Sequence, residues 1–233
     1  MSADTPASGQ IPHWSLPVSR WAIWNDAHAA GEKPDLSFVD PMLRRRLSPL
    51  ARAAFHVAHQ CCARSSGTPI IYASRHGELE RTLELFNALA TNEALSPTTF
   101  GLSVLNASAG LYAIAHQDTA AATAVAAGSE TFGYGLLEAW SRLQSTGNAV
   151  LYVYADSPVP PPLACQATDP TSILAIGILL EPTADRVIQC STEPHKFPEK
   201  RTGQSQAIAF ASLFEGARSV EWQSERRRWR WSQ

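Results

Sequence analysis

The sequence predicts an α/β domain in which one mixed β-sheet is layered with buried and covering helices. Strand-like apolar runs bounded by turn residues alternate with helical patterns over the first two thirds of the chain. Two further strand-like runs, residues 172–181 and 186–190, follow without a helix between them. Strands separated by helices tend to run parallel, whereas consecutive strands tend to pair antiparallel, so we expect a mixed sheet.

Length and composition fit one globular unit. The 233 residues are enough to bury a sizeable core, and a hydrophobic fraction of 45% is ordinary for such a domain. The net charge of −2 gives no general attraction for nucleic acid. The amino terminus lacks a cationic start, and no segment reaches the roughly 20 apolar residues of a membrane helix. We expect a cytoplasmic protein that binds neither nucleic acid nor membrane.

The first third of the chain begins with residues 1–10, which are small and polar and are predicted to be disordered. The segment 19–38 contains tryptophans followed by glycine, proline and charges, which predicts a short helix or turn and an exposed loop. Asp40 and Pro41 then start a helix predicted over residues 41–64, because aspartate caps free amides and proline needs no amide hydrogen bond at the first position.

Next comes a short apolar run, residues 69–73, which predicts a buried parallel strand. The helix that follows it has charged residues on one face and apolar residues on the other. The apolar positions are Leu79, Leu83, Phe86, Leu89 and Ala90. This pattern predicts a helix that covers the sheet.

Residues 96–135 are the stretch around which the chain is organised, and they predict two short helices separated by a strand of small residues. A glycine inside a helix costs about 1 kcal/mol relative to alanine. Gly128, Gly133 and Gly135 lie close together in the second helical run. We interpret them as positions of close backbone approach. That helix is predicted to continue to Gln144 and to turn at Gly147 into a strand over 149–154.

The last third begins with a proline-rich surface connection, residues 156–170, because proline is excluded from interior strands. A central strand is predicted over 172–181, with 186–190 as its hairpin partner, and a helix over 204–215. Residues 226–231 mix arginine with Trp229 and Trp231 and predict a docking segment or an exposed tail. We therefore divide the chain into residues 1–10, a domain over 11–216 and an Arg/Trp tail over 217–233.

Two motifs resemble the β-ketoacyl synthases of the thiolase-like superfamily. TAVAAGSETFGYGLLEA, residues 123–139, resembles the nucleophile elbow of that family, where a TAC-x-x-G motif opens a buried helix. SPTTFGLSVLNASAG, residues 96–110, resembles the segment that those enzymes place at their dimer interface. RRRLS, residues 44–48, adds modestly to the resemblance. The resemblance covers about residues 11–181 and implies a single thiolase-like half-domain.

One departure from the family is that Val125 occupies the position of the nucleophilic cysteine. Valine cannot ionise or form a thioester. The family's two histidines and lysine belong to a second half that this chain does not contain. The resemblance therefore implies a non-catalytic, chain length factor-like subunit, as in aryl polyene clusters. It would form a heterodimer with a full-length β-ketoacyl synthase and help to shape the tunnel in which a fatty acid or polyketide chain grows. Acyl carrier protein is a further candidate partner.

The resemblance also implies which residues face the partner. The segment between the SP dipeptide and the asparagine reaches towards the partner's acyl tunnel, so Phe100 is a candidate gate for chain length. The alternative is that Phe100 packs within its own subunit. The candidate interface and gate residues are Thr98, Thr99, Phe100, Ser103, Asn106 and Gly110.

Other catalytic or metal-binding patterns are weak. Ser129 lies in AGSET, which lacks the second glycine of G-x-S-x-G. His56 and His59 share a helix without a third ligand nearby, and His116 fits the end of a helix better than a base. The four cysteines, Cys61, Cys62, Cys165 and Cys190, form no C-x-x-C pair. We expect no catalytic residue, metal or cofactor. The alternative is an acyl-thioester hydrolase or acyltransferase that uses an unrecognised site on a truncated thiolase-like scaffold.

Overall fold

The computed structural model describes residues 12–29, 31–62, 67–163, 171–194 and 203–233. The strands are β1 (His13–Asn25), β2 (Ile70–Ala73), β3 (Ala122–Val125), β4 (Val150–Asp156), β5 (Leu174–Leu180), β6 (Arg186–Pro194), β7 (Ser219–Gln223) and β8 (Arg227–Ser232). The helices are α1 (Pro41–Arg44), α2 (Pro49–Cys61), α3 (Leu79–Ala90), α4 (Pro97–Ser103), α5 (Ala107–His116), α6 (Thr131–Thr146) and α7 (Gln206–Ala211). The predicted disorder of residues 1–10 lies outside the described residues.

The strands form one eight-stranded sheet in the order β3-β2-β4-β5-β1-β6-β8-β7. Strand β2 runs parallel to β3 and β4, and the other neighbouring pairs are antiparallel. The predicted α/β class with a mixed sheet is therefore confirmed. The predicted hairpin between residues 172–181 and 186–190 is wrong, because β1 lies between β5 and β6 and pairs with both.

Strand β1 also corrects the expectation of a short helix or turn over residues 19–25. Its register shifts between Val18 and Arg20. Before the shift Trp14, Leu16 and Val18 are buried on one face of the sheet, and after it Ala22 and Trp24 are buried on the other. A bulge therefore interrupts the alternation that would mark a strand in the sequence.

Helices cover both faces of the central strands, which explains their continuous apolar runs. One face, which we call the α6 core, packs against α6 and α7 and includes Phe132, Tyr152, Ile176 and Phe210. The other face, the α2 core, packs against α2 and α5 and includes Phe55, Tyr72, Val153 and Tyr112. None of the helices in the described ranges is long and apolar enough to cross a membrane.

Two helix predictions need correction. The helix expected over residues 41–64 is two helices, α1 and α2, because Ser48 caps a second start at Pro49 by accepting the Ala51 amide at 3.0 Å. Helix α3 forms where its apolar pattern predicted a helix, but Leu85 is its only buried residue, and Phe86 and Leu89 are exposed. The apolar side chains of α3 therefore do not cover the sheet.

The arginine- and tryptophan-rich end of the chain is an antiparallel hairpin, β7–β8, that extends the sheet beyond β6. Trp222, Trp229 and Trp231 are all buried in the α6 core. The expectation of an exposed tail is therefore wrong. The tryptophans alternate with arginines because one face of the hairpin lies on the core and the other faces solvent. Helix α7 is shorter than the predicted helix over 204–215.

Candidate functional site

Val125, which matches the position of the family's nucleophile, is the last residue of β3. The parallel strands β2, β3 and β4 end at one edge of the sheet, so Val125 lies at the same edge as Ala73 and Asp156. Val125 is half-buried against the α6 core, and its carbonyl accepts the Ser74 amide at 3.2 Å. The carboxyl edge of parallel strands is where ligands usually bind in α/β folds.

The chain then makes a turn over residues 126–130, which we call the elbow turn, before entering α6. Ala126, Ala127 and Gly128 are exposed. The Thr131 hydroxyl accepts the Ala127 amide at 2.8 Å and donates to the Gly128 carbonyl at 2.7 Å. Gly128 has φ +59° and open space around it. The interpretation of Gly128 as a close approach is wrong, since what it needs is a left-handed backbone conformation.

Gly133 and Gly135 do mark close approaches, as predicted. A Cβ at Gly133 would lie 2.8 Å from the Trp229 ring, and one at Gly135 would lie 2.6 Å from the Tyr152 ring. Tyr152 in turn donates its hydroxyl to the Phe132 carbonyl at 2.8 Å. Because Gly133 and Gly135 have no side chains, helix α6 packs closely against both the central strands and the carboxyl-terminal hairpin.

At the same edge of the sheet, the last residue of β4 is a buried acid, Asp156. Asp156 accepts the Tyr154 hydroxyl at 2.6 Å, the Ser74 hydroxyl at 2.8 Å and the Arg75 amide at 2.9 Å. Burial raises the pKa of Asp156, and the hydroxyl and amide donors partly oppose that rise. The carboxylate thereby fixes the loop between β2 and α3, and sequence reasoning gave no signal for it.

The candidate histidines on α2 and α5 and the candidate serine lie on opposite faces of the sheet. Ser129 belongs to the elbow turn beside the α6 core, whereas His59 and His116 lie on α2 and α5. His116 ends α5 as predicted, with Nδ1 3.1 Å from the Tyr112 carbonyl. Within the described ranges, no group of histidine, cysteine and carboxylate side chains has the arrangement of a metal site. Burial raises the pKa of the Cys61 thiol to about 12, which makes it unreactive.

The candidate interface residues lie mostly at the surface. Thr98, Asn106 and Gly110 are exposed, Thr99 and Ser103 are half-buried, and Phe100 is 61% exposed. Other large apolar side chains of α3, α4 and α5 and of the segments that join them are exposed as well. We call this set the apolar face, and its members are Phe86, Leu89, Leu95, Phe100, Val104 and Ile114.

Strand β3 adjoins this surface. It is an edge strand of the sheet, among the described residues it pairs with β2 alone, and its first residue, Ala122, is exposed. Helix α5 packs against β3, and α4 packs against both α3 and α5. The apolar face, the sheet edge and the elbow turn therefore follow one another on the molecule.

The class of the protein follows from its fold, since this mixed sheet with its buried helix matches the thiolase-like fold of solved ketosynthase structures. The chain belongs to the β-ketoacyl synthase family, since residues 19–232 match the model of the β-ketoacyl synthase N-terminal domain. A comparison with curated proteins gives no match.

Solved structures give the same fold. A ketosynthase in complex with its chain length factor from Xenorhabdus doucetiae matches with a TM-score of 0.80 and 26% identity, over 94% of this chain and all of the matched chain. The ishigamide ketosynthase/chain length factor matches with a TM-score of 0.59 and 17% identity, over 77% of this chain and 67% of that chain. A β-ketoacyl synthase from Burkholderia phymatum matches with a TM-score of 0.56 and 9% identity, over 79% and 56%. The last two similarities concern the fold alone.

Proposed function

We propose that this protein is a non-catalytic, chain length factor-like subunit that pairs with a full-length β-ketoacyl synthase and helps to shape its acyl tunnel. The observation that carries the proposal is the apolar face beside an unpaired sheet edge. Large exposed apolar patches usually mark interfaces, and an unpaired edge strand is a template for pairing. Aryl polyene synthesis, contact with acyl carrier protein and a cytoplasmic location belong to the same proposal.

The identity of the partner is supported by the X. doucetiae structure, in which a ketosynthase is complexed with its chain length factor. Co-expression of this chain with candidate full-length ketosynthases, followed by size-exclusion chromatography, tests the pairing. We expect a stable heterodimer and a poorly soluble or self-associated isolated subunit. A monodisperse monomer that ignores every ketosynthase at micromolar concentration would refute the proposal.

The absence of catalysis is argued from Val125, since the matched position has no thiol to carry an acyl chain. Val125→Cys tests this assignment. The exposed turn that follows should leave the new thiol open to alkylating agents, but condensation should not return without a partner, because a thiolate alone lacks the groups that decarboxylate the extender unit. Condensation by this variant alone would show that the assignment of catalysis to the partner is wrong.

Phe100 is our candidate for the residue that limits chain length. An exposed fraction of 61% argues against packing within its own subunit and favours projection towards a partner. With the heterodimer intact, Phe100→Ala should lengthen the product, and Thr99→Trp should shorten it. Overpacking a filled cavity costs about 1–3 kcal/mol, which corresponds to a bias of about 5- to 150-fold between successive lengths. Unchanged products from both variants would place the gate elsewhere.

The alternative function, an acyl-thioester hydrolase or acyltransferase, is tested by incubating the purified chain with acyl thioesters. We expect neither turnover nor an acyl-enzyme, because Ser129 and the histidines of α2 and α5 lie on different faces of the sheet. Turnover by the chain alone would favour the alternative.

A further inference from the structure

Glu130, the last residue of the elbow turn, is a buried carboxylate that has no cationic partner within the described part of the chain. It is 7% exposed, and none of the ion pairs among the described residues includes it. Its two oxygens accept from neutral donors, Oε1 from the Ser224 hydroxyl at 2.6 Å and Oε2 from the Trp229 indole at 3.0 Å. Burying a carboxylate is costly, so these short hydrogen bonds are what allow it to stay there.

Both donors come from the opposite end of the sheet. Ser224 lies between β7 and β8, whereas Glu130 follows β3, and β3 and β7 are the two edge strands. In a flat sheet of eight strands these edges would lie roughly 30 Å apart. The elbow turn after β3 and the β7–β8 hairpin instead meet at the start of α6, where the Glu130 carboxylate links them.

A second link acts one turn further along the helix. Helix α6 has no side-chain cap of its own. The Gly133 amide donates instead to the Gln206 side chain on α7 at 2.8 Å. The Trp229 ring occupies the space that a Cβ at Gly133 would need. Residues 206–232, which we call the carboxyl-terminal segment, therefore hold the start of α6 at two levels.

The position of the exposed elbow turn depends on the start of α6, because the Thr131 hydroxyl bonds both Ala127 and Gly128. We propose that the carboxyl-terminal segment is a latch that fixes the elbow turn for the partner ketosynthase, with Glu130 as its positioning residue. This inference rests on the proposed function, because the elbow turn directly follows the β3 edge at which we propose that the partner binds. By reciprocity of linkage, partner binding then stabilises the β7–β8 hairpin at the far end of the chain.

The first test uses the isolated chain and needs no partner. Glu130→Gln keeps the size of the side chain but turns one acceptor into a donor that faces a hydroxyl or an indole N–H. Glu138→Gln is the matched control, since Glu138 lies half-exposed on the same helix and pairs only loosely with Arg142, at 3.7 Å. Hydrogen exchange of amides 126–132 should become roughly tenfold faster in Glu130→Gln, an opening that the loss of one or two hydrogen bonds to a charged group allows.

In the same experiment the amides of β1 and β5 should exchange as in the wild type. Equal acceleration at all sites would mean that Glu130 stabilises the whole fold and fixes no particular turn. If the elbow-turn amides exchanged at the same rate in Glu130→Gln as in Glu138→Gln, the proposed latch would be refuted. Ser224→Ala and Ser224→Thr extend the test, because only threonine keeps the hydroxyl that Glu130 accepts.

The second test adds the ketosynthase that co-purifies with the wild-type chain. Binding should slow exchange across residues 219–231 in the wild type but not in Glu130→Gln, and the variant should bind roughly tenfold more weakly, within the usual range of allosteric coupling. Equal affinity and equal protection in both proteins would overturn the coupling. A wild-type chain that binds no ketosynthase overturns the proposed function and the coupling, whereas the first test decides the latch on its own.

Discussion

Large apolar side chains are buried near one edge of the sheet and exposed near the other. At the carboxyl-terminal edge Trp222, Trp229 and Trp231 are between 0% and 2% exposed. Near the β3 edge Phe100 and Ile114 are 61% and 66% exposed. Since the fold buries three tryptophans at one edge, the exposure of a phenylalanine at the other edge is a property of that edge and not of the whole fold. The chain therefore covers the apolar side chains of the first edge itself, and the proposed function assigns the cover of the second to a partner.

Glycines show the same contrast. A Cβ added at Gly177 would lie 2.6 Å from the Val57 carbonyl oxygen, and those added at Gly133 and Gly135 would also clash. A Cβ added at Gly101 or Gly110, on α4 and α5, would meet no atom within 4 Å. One region has no room for a methyl group, and the other has room that another molecule can fill.

The largest effect should come from Gly177→Ala. Its Cβ would press on helix backbone that cannot rotate away, so the free energy of unfolding should fall by about 3 kcal/mol, the upper end of overpacking. Gly101→Ala is the control and should be neutral or stabilising by about 0.5–1 kcal/mol, because alanine favours the helix. Urea titration of both variants measures the difference. Equal destabilisation would contradict the contrast.

The next largest effect on the free energy of unfolding should distinguish two adjacent residues of α3, buried Leu85 and exposed Phe86. Leu85→Ala should lower the free energy of unfolding by about 2 kcal/mol, at the low end for buried leucines. Phe86→Ala should change it by less than about 0.5 kcal/mol. If Phe86 lies at the centre of the interface, its truncation should weaken ketosynthase binding by 2 kcal/mol or more, as at binding hot spots. Calorimetric titration measures the binding, and unaltered affinity would place Phe86 outside the interface.

A smaller effect should depend on pH. His59 stacks on Phe38 at 3.7 Å and lies 5.8 Å from His116, and burial first, then repulsion by His116, lowers its pKa. The folded chain therefore binds the His59 proton more weakly than the unfolded chain, and stability is lost as pH falls below about 6.5. His56 adds to the repulsion, and Asp35 opposes it.

Melting temperatures at pH 7.5 and pH 5.5 measure this loss. The difference between the two pH values should shrink in His59→Gln and should persist in His28→Gln, whose side chain is exposed. A difference that stays the same in His59→Gln would assign the acid sensitivity to other groups.

The smallest effect should come from the solvent-facing side of the β7–β8 hairpin. Arg230 pairs with Glu221 at 2.8 Å and with Glu193 at 3.5 Å, but it is about half exposed. Arg230→Gln should lower the free energy of unfolding by about 0.2–1 kcal/mol. The loss should shrink in 1 M salt, where screening removes the attraction. A loss above 2 kcal/mol would mean that the ion pairs, and not the buried tryptophans, hold the edge.

The sequence predicted the α/β class, most central strands and the two glycines of close approach, because those signals are local. It did not predict that β1 is a strand, since a bulge moves its buried residues from one face of the sheet to the other. It also misplaced Trp229 and Trp231, because alternation with arginine fits a half-exposed strand as well as an exposed tail.

The elbow turn was found through the resemblance, but the residues that hold it were not. Glu130 contacts residues 94 and 99 positions away, and Asp156 contacts Ser74 across 82 positions. No pattern within a short window connects such partners.

The place of β1 in the middle of the sheet also affects how the chain is made. Its two neighbours are β5 and β6, which begin at Leu174 and Arg186. At a synthesis rate of roughly 5–20 residues per second, β1 waits for about 10–30 s before its first partner leaves the ribosome. During this interval Trp14, Leu16 and Val18 have no strand to pair with, whereas β2, β3 and β4 can already assemble. Strand β1 is therefore made before its neighbours in the sheet but is among the last to fold, and the nascent chain exposes an apolar strand that chaperones can bind.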